Sequence, residues 1–187
     1  MKSARVSILA CGLLIAAAPL HAAPVLSLNP LNGELTGNPG QVVGWGFTIS
    51  NNTDFLLITS ADYLTTTGIG VFSDFVSVQF FVVGPAPEES IWTEDFNLGA
   101  TTGIGSYTIS PTAPVGALST GTIELTYDLY SLSPNDPNFD PSKDTLSTGT
   151  VLSAPASVAA STPEPGTISL VGLGLLLAWT RRRVLTT

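Results

Sequence analysis

The sequence predicts an all-β protein: a β-sandwich of about eight strands, flanked by an N-terminal signal helix and a short C-terminal hydrophobic helix. Three observations point there. Across residues 23–152 apolar side chains alternate with polar ones, the two-residue period of a strand with one buried face. Turn formers are dense, with 18 Gly and 14 Pro in 187 residues, and they cluster between the alternating runs. No part of this region repeats every 3.6 residues as an amphipathic helix would. At 44% hydrophobic and 11% charged, the chain is also too apolar and too sparsely charged for a disordered one.

The clearest strand is Val42–Ser50. Val43, Trp45, Phe47 and Ile49 fall on one side, and Gly44, Gly46, Thr48 and Ser50 on the other. The cluster Asn51-Asn52-Thr53-Asp54 is a turn, and Phe55–Ser60 is the returning strand. The preceding Thr36-Gly37-Asn38-Pro39-Gly40-Gln41, this strand, and Ser50-Asn51-Asn52 together resemble the early hairpin of bacterial surface Ig-like domains. That resemblance covers about 20 residues and implies an Ig-like sandwich.

Further along, Val76, Val78, Phe80 and Val82 share a face, as do Trp92, Glu94 and Phe96; Tyr107 and Ile109 form a shorter pair. Ile123, Leu125, Tyr127 and Leu129 make another stripe, with Thr122, Glu124, Thr126, Asp128 and Tyr130 opposite. Thr148–Leu152 is the last strand, with an extension to Val158 left open. Residues 153–162 read as an Ala/Ser/Pro linker. The pentapeptide Thr66-Thr67-Gly68-Ile69-Gly70 recurs as Thr101-Thr102-Gly103-Ile104-Gly105. Its flanks do not match, so two similar turns explain it better than a duplicated unit.

Charge is distributed unevenly. Of six basic residues, Lys2 and Arg5 stand at the N-terminus and Arg181, Arg182 and Arg183 at the C-terminus, leaving only Lys143 between them. Setting aside Glu164, 13 of the 14 acids lie between Ala23 and Ser161, so that stretch carries −13 + 1 = −12. Such a surface repels nucleic acid and anionic headgroups. Nucleic acid is therefore excluded as a partner.

Both ends read as addresses. Lys2 and Arg5 precede the apolar Val6–Ala18, and small residues follow, giving a signal peptide over residues 1–22 with cleavage between Ala22 and Ala23. A buried helix is the alternative, but Pro19 ends the apolar run and β-type sequence follows at once. Cys11 sits too early in that run for a lipoprotein site.

At the other end, Pro163-Glu164-Pro165 precedes an apolar segment, Ile168–Trp179, and then the three arginines. Prolines on both sides of Glu164 favour an exposed, extended tripeptide. Twelve residues at 1.5 Å each span about 18 Å, short of the roughly 30 Å of a hydrocarbon core. The helix is thus a marginal membrane anchor, with its arginines held on the cytoplasmic side. These residues, 163–187, closely resemble the PEP-CTERM sorting signal of Gram-negative bacteria. The resemblance implies recognition and cutting near the motif by an exosortase. It implies the partners too: signal peptidase, exosortase, the inner membrane during transit, and an exopolysaccharide matrix. The destination would be the cell surface or that matrix.

The catalytic inventory is nearly empty. The only Cys and the only His are Cys11 and His21, both within the segment to be removed. That leaves no material for a Ser-His-Asp triad, a thiol nucleophile or an ordinary zinc site. Glu88-Glu89 and Glu94-Asp95 could supply the two carboxyls of a glycosidase, although adjacent acids are usually solvated surface. The expectation is a non-enzyme without a cofactor, calcium being the one ion considered. Asp136, Asn138, Asp140 and Asp144 occupy positions 1, 3, 5 and 9 of a calcium loop. Pro141 stands where such a loop needs Gly, and Ser147 where it needs Glu; Asx turns are the plainer reading. Trp92, alternating with acids, is the candidate for stacking on a glycan. A glycan-binding module is the alternative to a purely structural role.

Overall fold

The computed structural model describes residues 23–52, 54–85 and 90–161. Among them are ten strands: β1 (Val25–Asn29), β2 (Glu34–Gly37), β3 (Val42–Ser50), β4 (Phe55–Thr65), β5 (Gly70–Asp74), β6 (Phe81–Val83), β7 (Ile91–Glu94), β8 (Gly105–Ile109), β9 (Leu118–Tyr130) and β10 (Thr145–Ala160). A 3-10 turn, Val76–Val78, and a one-turn helix, α1 (Pro141–Asp144), complete them. One sheet runs β1-β3-β8-β5, with β7 also paired to β3; the other runs β2-β10-β9-β4-β6. The architecture is the all-β sandwich that the alternation implied, with one apolar core between the sheets.

β3 behaves as its pattern requires. Trp45, Phe47 and Ile49 are fully buried. Gly44 and Gly46 face the other way for a steric reason, because the segment after β7 folds back over them. A Cβ on Gly44 would collide with the Phe96 ring, and one on Gly46 would come within 2.7 Å of the Glu94 carbonyl. Phe96 then stacks on Phe75, with ring centroids 6.3 Å apart.

β4 outruns the expected Phe55–Ser60. Its register against β9 shifts between Ile58 and Ser60. The extra residue, Thr59, restores the inward phase, so that Ala61 and Tyr63 join Leu56 and Ile58 in the core. In β9, Ile123, Leu125 and Tyr127 are buried as expected. Leu129 is only partly buried and packs on the core, while Tyr130 is buried.

Two expectations are overturned. The stripe Val76, Val78, Phe80, Val82 is not one strand face. Asp74 Oδ1 accepts the N–H groups of Val76 at 2.8 Å and Ser77 at 3.3 Å, which turns the chain into the 3-10 element. Val78 and Phe80 are left 77% and 61% exposed. Likewise, most of the expected 153–162 linker is strand, because β10 continues to Ala160. Ala154, Ala156, Val158 and Ala160 alternate into the core, their small size concealing the stripe. β10 pairs antiparallel with β9 along its length, and β2 joins it in parallel from Ser157. Pro155 therefore falls where β10 is still an edge on its β2 side, where proline is tolerated.

The two Thr-Thr-Gly-Ile-Gly segments each lead into a strand: Gly70 opens β5 and Gly105 opens β8. Those strands pair antiparallel. The expected signal peptide, the sorting segment and Glu88-Glu89 lie outside the described residues. Among the described residues no helix is long and apolar enough to cross a membrane.

Candidate functional site

The loop joining β9 to β10 is closed at its neck, where Ser131 N–H donates to the Asp144 carbonyl at 2.8 Å. It is also pinned inward by Phe139, whose ring meets Tyr130 edge-on at 5.1 Å. Its acids are spent on the loop itself. Asp140 caps α1, accepting from Ser142 N at 3.0 Å and Ser142 Oγ at 2.6 Å, and pairs with Lys143 Nζ at 2.7 Å. The Lys143 ammonium, and then the Ser142 bonds, hold the Asp140 carboxyl below its usual range. Asp144 Oδ2 accepts the Asp140 N–H at 2.8 Å, and Asp136 Oδ1 accepts Asn138 N at 2.8 Å and Asn138 Nδ2 at 3.0 Å.

Asp136, Asn138, Asp140 and Asp144 are thus a chain of Asx turns and a helix cap, not a calcium cage. Pro141 is the reason. It starts a helix instead of allowing the sharp turn that would bring ligands together. Among the described residues no three His, Cys, Asp or Glu side chains form a group that could hold a metal ion.

Trp92 packs against the core as a partly buried residue instead of standing clear of the surface. β7 pairs with β3 so that Trp92 lies opposite Ile49 and Glu94 opposite Phe47, both core residues. Trp92 is half-buried, its ring edge-on to Phe81 with centroids 5.3 Å apart. Trp92 Nε1 and Glu94 Oε2 are buried without a hydrogen-bond partner.

Burial pushes the Glu94 carboxyl above its usual range, partly offset by the Gly103 backbone N–H. The folded state therefore binds this proton more tightly than the unfolded chain. Its stability rises as the pH falls through the raised value toward the ordinary carboxyl range. Glu94→Gln is expected to raise the melting temperature at pH 7 and to flatten that dependence, as read by thermal melts from pH 4 to 8. Asp95, the neighbouring acid, is exposed and accepts from Asn29 Nδ2 at 2.9 Å. The two carboxyls are thus committed to different surroundings: one to the core face, the other to the surface. They do not form the facing pair that glycoside hydrolysis needs.

A feature that the sequence did not disclose is a cleft of ≈ 630 Å³ beside the closed loop. Phe55, Val82, Gly84 and Leu132 line it together with Ser133, Asn135 and Asp136. The first two come from the start of β4 and from β6, which Asn51 ties together. Its side-chain amide donates to the Asp54 carbonyl at 2.6 Å and the Val83 carbonyl at 3.0 Å. Of the lining residues, only Asp136 is a candidate site residue in the sequence, and for a different role, while Phe55 and Val82 read there simply as strand residues.

The described residues form an acidic β-sandwich whose last strand ends immediately before the Pro-Glu-Pro motif. A family model for the PEP-CTERM protein-sorting motif matches residues 161–184, so the chain carries that sorting signal. The motif marks a protein that is exported and sorted to the cell envelope or the extracellular space, with an exosortase as its processing partner. No curated protein matches the chain.

Among solved structures, WR4, a C. elegans MSP family member, is similar at 10% identity and a TM-score of 0.35, over 73% of this chain and 98% of its own. The sixth cohesin from the Acetivibrio cellulolyticus scaffoldin B, in complex with a Cel5 dockerin mutant, is similar at 11% identity and a TM-score of 0.28, over 75% and 100%. Likeness this low carries no functional argument.

Proposed function

We propose that this chain is a non-catalytic surface or matrix protein of a Gram-negative envelope, trimmed at both ends during export. Signal peptidase cuts between Ala22 and Ala23. The segment Ile168–Trp179 then holds the chain briefly in the inner membrane, with Arg181, Arg182 and Arg183 as its cytoplasmic stop. Exosortase cuts near Pro163, Glu164 and Pro165, leaving the β-sandwich at the surface or in an exopolysaccharide matrix. The observation that carries this reading is the motif match at 161–184, with its three parts in order. A non-catalytic role is supported by the loss of Cys11 and His21 with the signal peptide, and by the separate surroundings of Glu94 and Asp95.

Replacing all three motif residues by alanine tests the proposal. The expected result is a full-length C-terminus accumulating in the inner-membrane fraction, with little protein at the surface. Wild-type size and distribution would contradict it.

A further inference from the structure

We propose that the cleft between the β9–β10 loop and the ends of β4 and β6 binds a neutral glycan. A pyranose ring presents an apolar C–H face and a rim of hydroxyls, each of which can donate and accept. The cleft offers both counterparts. Phe55, Val82 and Leu132 give an apolar wall with one aromatic ring, and Ser133, Asn135 and Asp136 line the rest. Small-ligand sites pair apolar walls with a few polar groups, and ≈ 630 Å³ falls within the common range of about 300–1,000 Å³.

The polar groups hold unused capacity. Asp136 Oδ1 is occupied by Asn138, whereas Oδ2 has no partner among the described residues. Ser133 Oγ accepts from the Asn135 backbone N–H at 3.2 Å, which leaves its own O–H free to donate. The Asn135 side-chain amide, on an exposed residue, makes no hydrogen bond among the described residues. Free donors and free acceptors together match hydroxyls.

Charge selects against anionic glycans. Among the described residues no cation lines the cleft, Asp136 does, and Lys143 is paired with Asp140 at 2.7 Å. The walls are also preorganised, which lowers the ordering cost of binding. Loop closure through Ser131 and Asp144 and the Phe139–Tyr130 contact hold one side. The Asn51 clamp holds the other.

This inference does not depend on processing of the termini, since it concerns the folded domain alone. The test is calorimetric titration of the purified full-length protein with cello-, chito- and manno-oligosaccharides, and with polygalacturonate as the anionic control. Asn135→Ala and Asp136→Asn accompany it, their folding checked by unchanged melting temperatures. The expected result is saturable binding of at least one neutral oligosaccharide, weakened about tenfold by either substitution, the scale of one lost hydrogen bond. Polygalacturonate should give no binding. Absence of saturable binding to all three neutral probes, binding unmoved by both substitutions, or preference for polygalacturonate would each overturn the proposal.

Discussion

Trp45→Ala is expected to cost the β domain about 3–5 kcal/mol, the range for removing a fully buried Trp or Phe. The indole has no exposed surface and lies between the sheets. Its ring centroid is 5.3 Å from that of Tyr63, 6.2 Å from Phe72 and 6.5 Å from Tyr107. Truncation would leave a cavity bounded by three rings that β4, β5 and β8 hold in place, so collapse around it is limited. The indole Nε1–H also donates to the Gly33 carbonyl at 2.8 Å.

That carbonyl keeps a second donor, Ser157 N–H at 3.0 Å, which separates the two contributions. Trp45→Phe retains ring packing and leaves Gly33 with one partner, so its cost should be closer to about 1 kcal/mol. Urea unfolding of both variants gives the comparison. Equal losses would mean that the hydrogen bond, not the packing, anchors this part of the core. With total stabilities of about 5–15 kcal/mol, the alanine variant should be near its unfolding threshold at 37 °C.

Asn51→Ala should be the second large loss. This residue is fully buried at the end of β3, and its amide reaches two carbonyls on different segments, those of Asp54 and Val83. Alanine takes the donor from the buried Val83 carbonyl, at about 1–3 kcal/mol for an unsatisfied group, while water can replace it at the carbonyl of the exposed Asp54. It also unties the β3–β4 turn from β6, where Phe55 and Val82 form one wall of the cleft. Two readouts should therefore move together: a lower urea midpoint, and hydrogen exchange that quickens around residues 81–83 more than in β9. Loss spread evenly over both sheets would show that Asn51 acts on global packing and not as a local clamp.

How far the sequence discloses this architecture depends on how each strand is buried. β3 and β9 have one inward face filled by large side chains, so a two-residue period shows without further information. β1, β2 and β5 have four or five residues each, too few to display a period, and their pairing with distant partners decides them. The end of β10 was concealed by composition: Ala154, Ala156 and Ala160 are core residues of a type equally common in linkers. The misread stripe at Val76–Val82 did carry a usable signal, because Asp74 stands two residues before Val76, in place to accept from its N–H.

The site divides the same way. A sorting segment is contiguous and is recognised by order and spacing, so it was legible from the residues alone. The cleft is assembled from β4, β6 and a loop some 50 residues further on, which no linear pattern discloses. The calcium reading failed over a single residue, because Pro141 favours a helix start and directs the Asp140 and Asp144 carboxylates to backbone N–H groups and Lys143.

The most direct test of export and two-ended processing is the intact mass of the protein recovered from the cell surface or medium. A chain beginning at Ala23 and ending close to Pro163 is expected, lacking Ile168–Trp179 and the three arginines. A recovered species that still carries Arg183, or that begins at Met1, would contradict it.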